Sequence, residues 1–197
     1  VRKLAGEIPT MELVFFRNLI GLVFLIGILS WRGFGALRTS RIKAHFVRNT
    51  LNFAGMWLWF TGLSLLPLST AVALHFTLPL MVVVLAMLFL GERPSATRIV
   101  CTIIGFGGVL VILRPGAVSI GGAAFLVLAS ALCYAGVGIF TRVLGRTEAP
   151  ATTTFYYQAM VAGFALIPTI FVWVTPSLED IPAMLLLAAA GTAAPYC

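Results

Sequence analysis

Long apolar runs separated by short polar connections organise the chain. Seven runs are long enough to cross a bilayer: Leu13–Trp31, Asn49–Leu66, Ala71–Leu90, Ala96–Leu113, Ile120–Phe140, Thr154–Val174 and Ile181–Cys197. A hydrocarbon core of about 30 Å needs about 20 apolar residues in a helix. The runs are continuous and lack alternation of period two, so they predict helices rather than barrel strands. Short connections make sequential helices antiparallel neighbours.

Composition narrows the class. The 197 residues are 60% hydrophobic and 10% charged, with a mean hydropathy of +1.06. Soluble domains carry about 25% charge, and one of this size still exposes about 30% of its chain surface. A soluble enzyme, a disordered chain and a nucleic-acid-binding module are therefore excluded, and the expected fold class is an all-α integral membrane protein. Cys101, Cys133 and Cys197 lie in apolar runs without metal or disulfide spacing, and read as small apolar residues.

The net charge of +7 is a topology signal. Arg32, Arg38, Arg41, Lys43 and Arg48 follow the first run, Arg93 and Arg98 the third, and Arg142 and Arg146 the fifth, nine in all. The alternate connections hold Arg114 alone. The positive-inside rule places the nine in the cytoplasm, so the first run descends from outside and residues 1–12 are external.

The same pattern reveals a repeat of reversed sign. Residues 2–9 (RKLAGEIP) precede Phe15, Phe16, Arg17 and Asn18; residues 142–150 (RVLGRTEAP) precede Tyr156, Tyr157, Gln158 and Ala159. One gap pairs Glu7 with Glu148, Pro9 with Pro150 and Arg17 with Gln158. The first copy leads to a basic connection, the second to an acidic one holding Glu179 and Asp180. The copies are five spans apart, and an odd number of helices inverts the second. Inverted repeats are the mark of secondary transporters, with the substrate near the midplane at the repeat interface. The expected architecture is a multi-span helical bundle of two inverted five-helix repeats with seven spans visible: residues 1–116, lacking the first helix, and residues 117–197, truncated. One further span is expected before Val1 and two after Cys197.

Several stretches carry a family likeness. They are residues 12–18 (ELVFFRN), residues 66–79 (LPLSTAVALHFTLP) running on to 89–93 (FLGER), and residues 105–116 (GFGGVLVILRPG). In order and spacing the chain resembles helices two to eight of EamA-type transporters of the drug/metabolite transporter superfamily. The resemblance implies ten helices in two inverted repeats, cytoplasmic termini, and transport of small metabolites, often outward. The expected location is the bacterial inner membrane.

No Asp or Glu falls within an assigned span, which leaves His75 as the visible group for proton or ion coupling. Arg17 lies about one turn inside the first run, and a charge at the bilayer centre costs about 2.5–3.5 kcal/mol on the insertion scale. It either snorkels outward or faces a cavity and attracts an anionic group; Asn18 shares the alternatives. Asn49 and Asn52, with Met56 and Trp59 or Phe60, form a stripe at helical spacing. The stripe serves interhelical hydrogen bonding or faces substrate, and Asn52 ranks above Asn49, which is near the cytoplasmic end. Trp57 and Trp59 offer an apolar or cation–π wall.

Pro79, one turn after His75, removes a backbone donor and predicts a kink, on which a gate hinge can be built. Tyr134 lies mid-run, where its hydroxyl needs a partner; Tyr156 and Tyr157 fit an aromatic belt. Gly105, Gly107 and Gly108 predict close helix packing. Glu92 and Arg93 stand in a cytoplasmic turn where Ser95 can cap the next helix, or where charges can pair across the repeats in one gate state. The candidate substrate-binding residues are Arg17, Asn52, Trp59, His75 and Tyr134, and the candidate gating residues are Pro79, Glu92 and Arg93. No catalytic residue, metal or cofactor is expected. The expected partners are a small-molecule substrate and the lipid bilayer, with a homodimer allowed and no nucleic acid.

A transporter is the leading function. A retinal-based pump needs a membrane lysine, but Lys3 and Lys43 lie in loops. An intramembrane enzyme would need catalytic residues on helices beyond this chain, because paired Asp, His-Glu-x-x-His and Ser-His arrangements are missing at membrane depth. A non-transporting sensor or channel subunit is the other alternative.

Overall fold

The computed structural model describes residues 9–32, 37, 39–113, 121–174, 182, 184–186 and 188–189. Among them the chain forms seven helices and no strand: α1 Thr10–Arg32, α2 Ile42–Leu65, α3 Leu68–His75, α4 Leu78–Leu90, α5 Ala96–Leu113, α6 Gly122–Gly145 and α7 Pro150–Phe171. Four stretches are long and apolar enough to cross a membrane: Thr10–Gly27, Leu68–Leu90, Gly122–Gly145 and Pro150–Phe171. The expected span Ile181–Cys197 falls largely outside the described residues.

Helix boundaries follow local chemistry. Proline suits the first helical position because its missing N–H is an orphan there, and α7 begins on Pro150 after an extended Ala149. α2 begins seven residues before the expected Asn49, because its first two turns interleave Ile42, Ala44, Phe46 and Val47 with Lys43, His45 and Arg48. Those polar residues, with Asn49 and Asn52, make α2 less apolar than the other long helices.

The run expected over Ala71–Leu90 is interrupted at Phe76–Thr77, where both residues keep right-handed helical dihedrals and the helix tightens just before Pro79. α3 ends at His75; the Phe76 N–H donates to the carbonyls of Val72 at 3.1 Å and Ala73 at 3.2 Å, and the Thr77 N–H tightens to the Leu74 carbonyl at 3.1 Å. Pro79 stands in the first turn of α4, where it needs no helical acceptor. The Thr77 hydroxyl turns back and donates to the Leu74 carbonyl at 2.7 Å. α4 closes on Gly91 at φ 62°, a left-handed conformation that favours glycine. The Gly91 and Glu92 N–H groups both donate to the Ala86 carbonyl.

Two compact units emerge: residues 1–49 with 144–197, and residues 50–143. Each draws on both sides of residue 116. In the first unit α1 and α7 pack together. Glu12, in the first turn of α1, accepts from the Val174 N–H beyond the end of α7. Glu148, just ahead of α7, accepts from Thr39 beyond the end of α1. The two helices therefore run antiparallel, each carrying a carboxylate at its start that holds the chain leaving the other. Met184 is buried against Leu13, Phe16 and Ile20.

In the second unit Ala71 and Leu74 of α3 and Ala124 and Val127 of α6 form a buried cluster, flanked by Trp59 and Leu63 of α2. Small residues let membrane helices approach. The Ser130 hydroxyl donates to the Gly55 carbonyl at 2.7 Å, and a Cβ on Gly62 would lie 2.6 Å from Val127 Cγ2. The close packing expected at Gly105, Gly107 and Gly108 is not found: nothing among the described residues comes within 4 Å of a Cβ placed there.

Candidate functional site

The second unit brings three of the sequence candidates together. His75, the last residue of α3, lies between Trp59 of α2 and Tyr134 of α6. Its ring centroid is 4.5 Å from the Trp59 ring and 5.7 Å from the Tyr134 ring, the latter edge to face. His75 Nε2 is buried without a hydrogen-bond partner among the described residues. The grouping lies at the interruption between α3 and α4, where His75 is the last residue of α3. The cluster offers aromatic faces for a planar or cationic group and one imidazole nitrogen with hydrogen-bonding capacity to spare. Asn52 is half-buried on α2, two turns before Trp59, and the ring contacts do not include it. Beside the break, Phe76, Pro79, Val82, Cys101, Gly105 and Phe106 line a largely apolar cleft of about 450 Å³.

At the far end of α4, the left-handed Gly91 presents Glu92 to Arg142 in the last turn of α6, Nη1 to Oε2 2.7 Å. Both side chains are half-exposed. The neighbouring Arg93 is exposed.

In the first unit Arg17 Nη2 donates to the Tyr157 hydroxyl at 3.3 Å. Asn18 is buried and donates back to the Val14 carbonyl at 2.8 Å. Asn49 is also buried and bridges to α7, donating to the Tyr156 carbonyl at 3.2 Å. Its role is interhelical.

Sequence reasoning missed a polar cluster here. His45 is fully buried, with Nε2 2.8 Å from Glu148 Oε2. Tyr156 stacks on the imidazole at 4.7 Å and donates from its hydroxyl to the Leu37 carbonyl at 3.1 Å. Burial alone would raise the Glu148 carboxyl. Hydrogen bonds from Thr39 and His45, with the positive charges of His45 and Arg41, outweigh it and hold the group below the usual carboxylate range. The one signal available was the repeat match between Glu7 and Glu148. Glu12, expected outside the first run, lies in the first turn of α1 and is fully buried, accepting from the Val174 N–H. No group of His, Cys, Asp and Glu suited to a metal occurs among the described residues.

These features define a class: a helical membrane protein that crosses the bilayer several times and holds polar and aromatic groups between its helices. More narrowly, the chain belongs to the EamA-like transporter family, whose model matches residues 1–114. It is 29% identical over 189 residues to the S-adenosylmethionine uptake transporter of Rickettsia bellii, covering 96% of this chain and 65% of that protein. It is 35% identical over 154 residues to the riboflavin transporter of Brucella anthropi, covering 78% and 54%. The pseudopaline exporter CntI of Pseudomonas aeruginosa is 28% identical over 169 residues, covering 85% and 59%. The chain thus spans 54–65% of the length of these relatives, all named as transporters or exporters rather than enzymes. A solved structure with 19% identity shares the fold, at a TM-score of 0.72 over 96% of this chain and 78% of its own.

Proposed function

We propose that the chain is the greater part of a secondary transporter that moves a small metabolite across the bacterial inner membrane by alternating access, with export as the direction. The observation that carries this reading is the broken span at Phe76–Thr77, with His75, Trp59 and Tyr134 gathered at the break. Transporter sites are typically built on discontinuous helices at membrane depth, where unwound backbone and a few polar side chains meet the solute. The relatives' names point to polar, nitrogen-rich solutes, among them S-adenosylmethionine and riboflavin. A tryptophan and a tyrosine flanking an imidazole suit a flat heterocycle or an organic cation. In this reading Pro79 and the break act as a hinge, and the Glu92–Arg142 pair closes one state of the gate.

The test is flux through the full-length protein in liposomes of both orientations, with and without a pH gradient. The panel holds S-adenosylmethionine, riboflavin, amino acids, nucleobases and carboxylates. Movement of one or more of these is expected. If none moves and none stabilises the protein thermally, the transport reading fails.

A further inference from the structure

We infer that Arg17 and Tyr157 form a receptor for a carboxylate group of the transported solute, at the junction of α1 and α7. This deepens the transport reading and rests on it. Arg17 is the eighth residue of α1 and Tyr157 the eighth of α7. Because the helices run antiparallel, the two side chains enter the membrane from opposite ends and meet, guanidinium to hydroxyl, at 3.3 Å. The Arg48 guanidinium stands 5.7 Å from the Tyr157 ring centroid. Arg48 thus lies over the ring face and is not among the residues that line the cavity beside the hydroxyl.

Beside the Arg17–Tyr157 pair lies a cavity of about 90 Å³ lined by Arg17, Asn18, Tyr157, Gln158 and Ala188. At about 30 Å³ per water, that space holds a few waters or one carboxylate. No carboxylate lies within ion-pair distance of Arg17 among the described residues. The phenol answers one of the five N–H groups of the guanidinium, whose planar fork matches a carboxylate in bidentate fashion. A second line of support is positional. Arg17 and Gln158 are equivalent in the sequence repeat, so the cavity lies where matching positions of the two repeats face one another. The repeat interface is where inverted-repeat transporters hold their solutes. The cavity offers a single bidentate fork and a neutral hydroxyl, a set suited to a planar monoanion rather than a tetrahedral dianion.

The experiment uses the full-length protein in detergent and follows its thermal midpoint with benzoate, with benzamide of the same shape but no charge, and with inorganic phosphate. Benzoate is expected to act at a concentration at least tenfold below that of benzamide or phosphate. Arg17→Gln is expected to erase that difference, and Tyr157→Phe to weaken it about threefold. Arg17→Lys keeps a charge without the fork; it is expected to fold and to retain part of the effect, so a misfolded Arg17→Gln leaves the test intact. Equal action of benzoate and benzamide on the wild type, or an unaltered preference in Arg17→Gln, overturns the carboxylate site. In liposomes, a transported carboxylate that moves equally well as its methyl ester overturns the site and leaves transport standing. A wild-type protein that moves no solute overturns transport itself.

Discussion

His45 Nε2 lies 2.8 Å from Glu148 Oε2, joining the first turn of α2 to the residue two before α7, and the two side chains are 0% and 6% exposed. Thr39 and Tyr156 complete the cluster, so the segment between α1 and α2 is tied to the start of α7 by the Glu148 carboxylate and the Tyr156 hydroxyl.

Replacing Glu148 with Gln removes the charge and leaves a buried imidazole with a poorer partner. The expected loss is about 1–3 kcal/mol of stability at neutral pH, the scale of a broken buried hydrogen bond to a charged group. The folded Glu148 carboxyl sits below its unfolded value, so its contribution is present above about pH 4.3, the reference value for a glutamate. It is lost as pH falls through the lower folded value. Thermal unfolding of wild type and Glu148→Gln across an acid series should therefore show a gap that closes on acidification. A gap that widens would overturn the assignment.

Gly62 tests the contact between α2 and α6. Its Cβ would meet Val127, a fully buried and β-branched side chain that rotates poorly out of the way. Gly62→Ala is expected to cost about 1–3 kcal/mol through overpacking. Gly107→Ala meets nothing within 4 Å and is expected to be neutral or to gain up to about 1 kcal/mol from helix propensity. Denaturation in mild detergent compares the two, and equal behaviour would refute the contact.

The contrast between these glycines shows what a single sequence reveals. The Gly105, Gly107 and Gly108 cluster draws attention because small residues recur at close spacing, yet the described helices leave it open. Gly55 and Gly62 make the close approach, and two isolated glycines seven residues apart carry no signal without knowledge of which helix faces them. Apolar runs located α1, α5, α6 and α7 well, because lipid requires length and hydrophobicity directly. They failed at the start of α2, where Lys43, His45 and Arg48 hide two helical turns. They merge α3 and α4 into one run, which the structure interrupts one turn before Pro79, next to His75. Contacts such as His45 with Glu148 join residues far apart in the chain and depend on crossing geometry that no local pattern encodes.

The Glu92–Arg142 pair is half-exposed, so it should contribute only about 0.2–1 kcal/mol to stability. The proposed gate contact predicts an effect on conformation rather than on stability. Glu92→Arg and Arg142→Glu singly are expected to leave the thermal midpoint nearly unchanged while altering solute flux, and the exchanged double variant should recover it. A double-mutant cycle on flux measures the coupling. Additive effects of the two reversals would show that the pair plays no part in gating.

The three rings at the break make separable contributions. Trp59→Ala removes one aromatic face, and a loss of about 1–2 kcal/mol in solute binding is expected if that face meets a cation or a flat ring. Tyr134→Phe keeps the edge-to-face contact with His75 and deletes the hydroxyl, so it reports whether that hydroxyl reaches the solute. His75→Asn keeps hydrogen-bonding capacity and abolishes titration, so any dependence of flux on a pH gradient that resides in His75 should vanish while solute affinity persists. Binding by thermal shift and flux in liposomes, measured on the same three variants, separate these roles. Affinity and pH response that both survive all three substitutions would place the solute elsewhere in the protein.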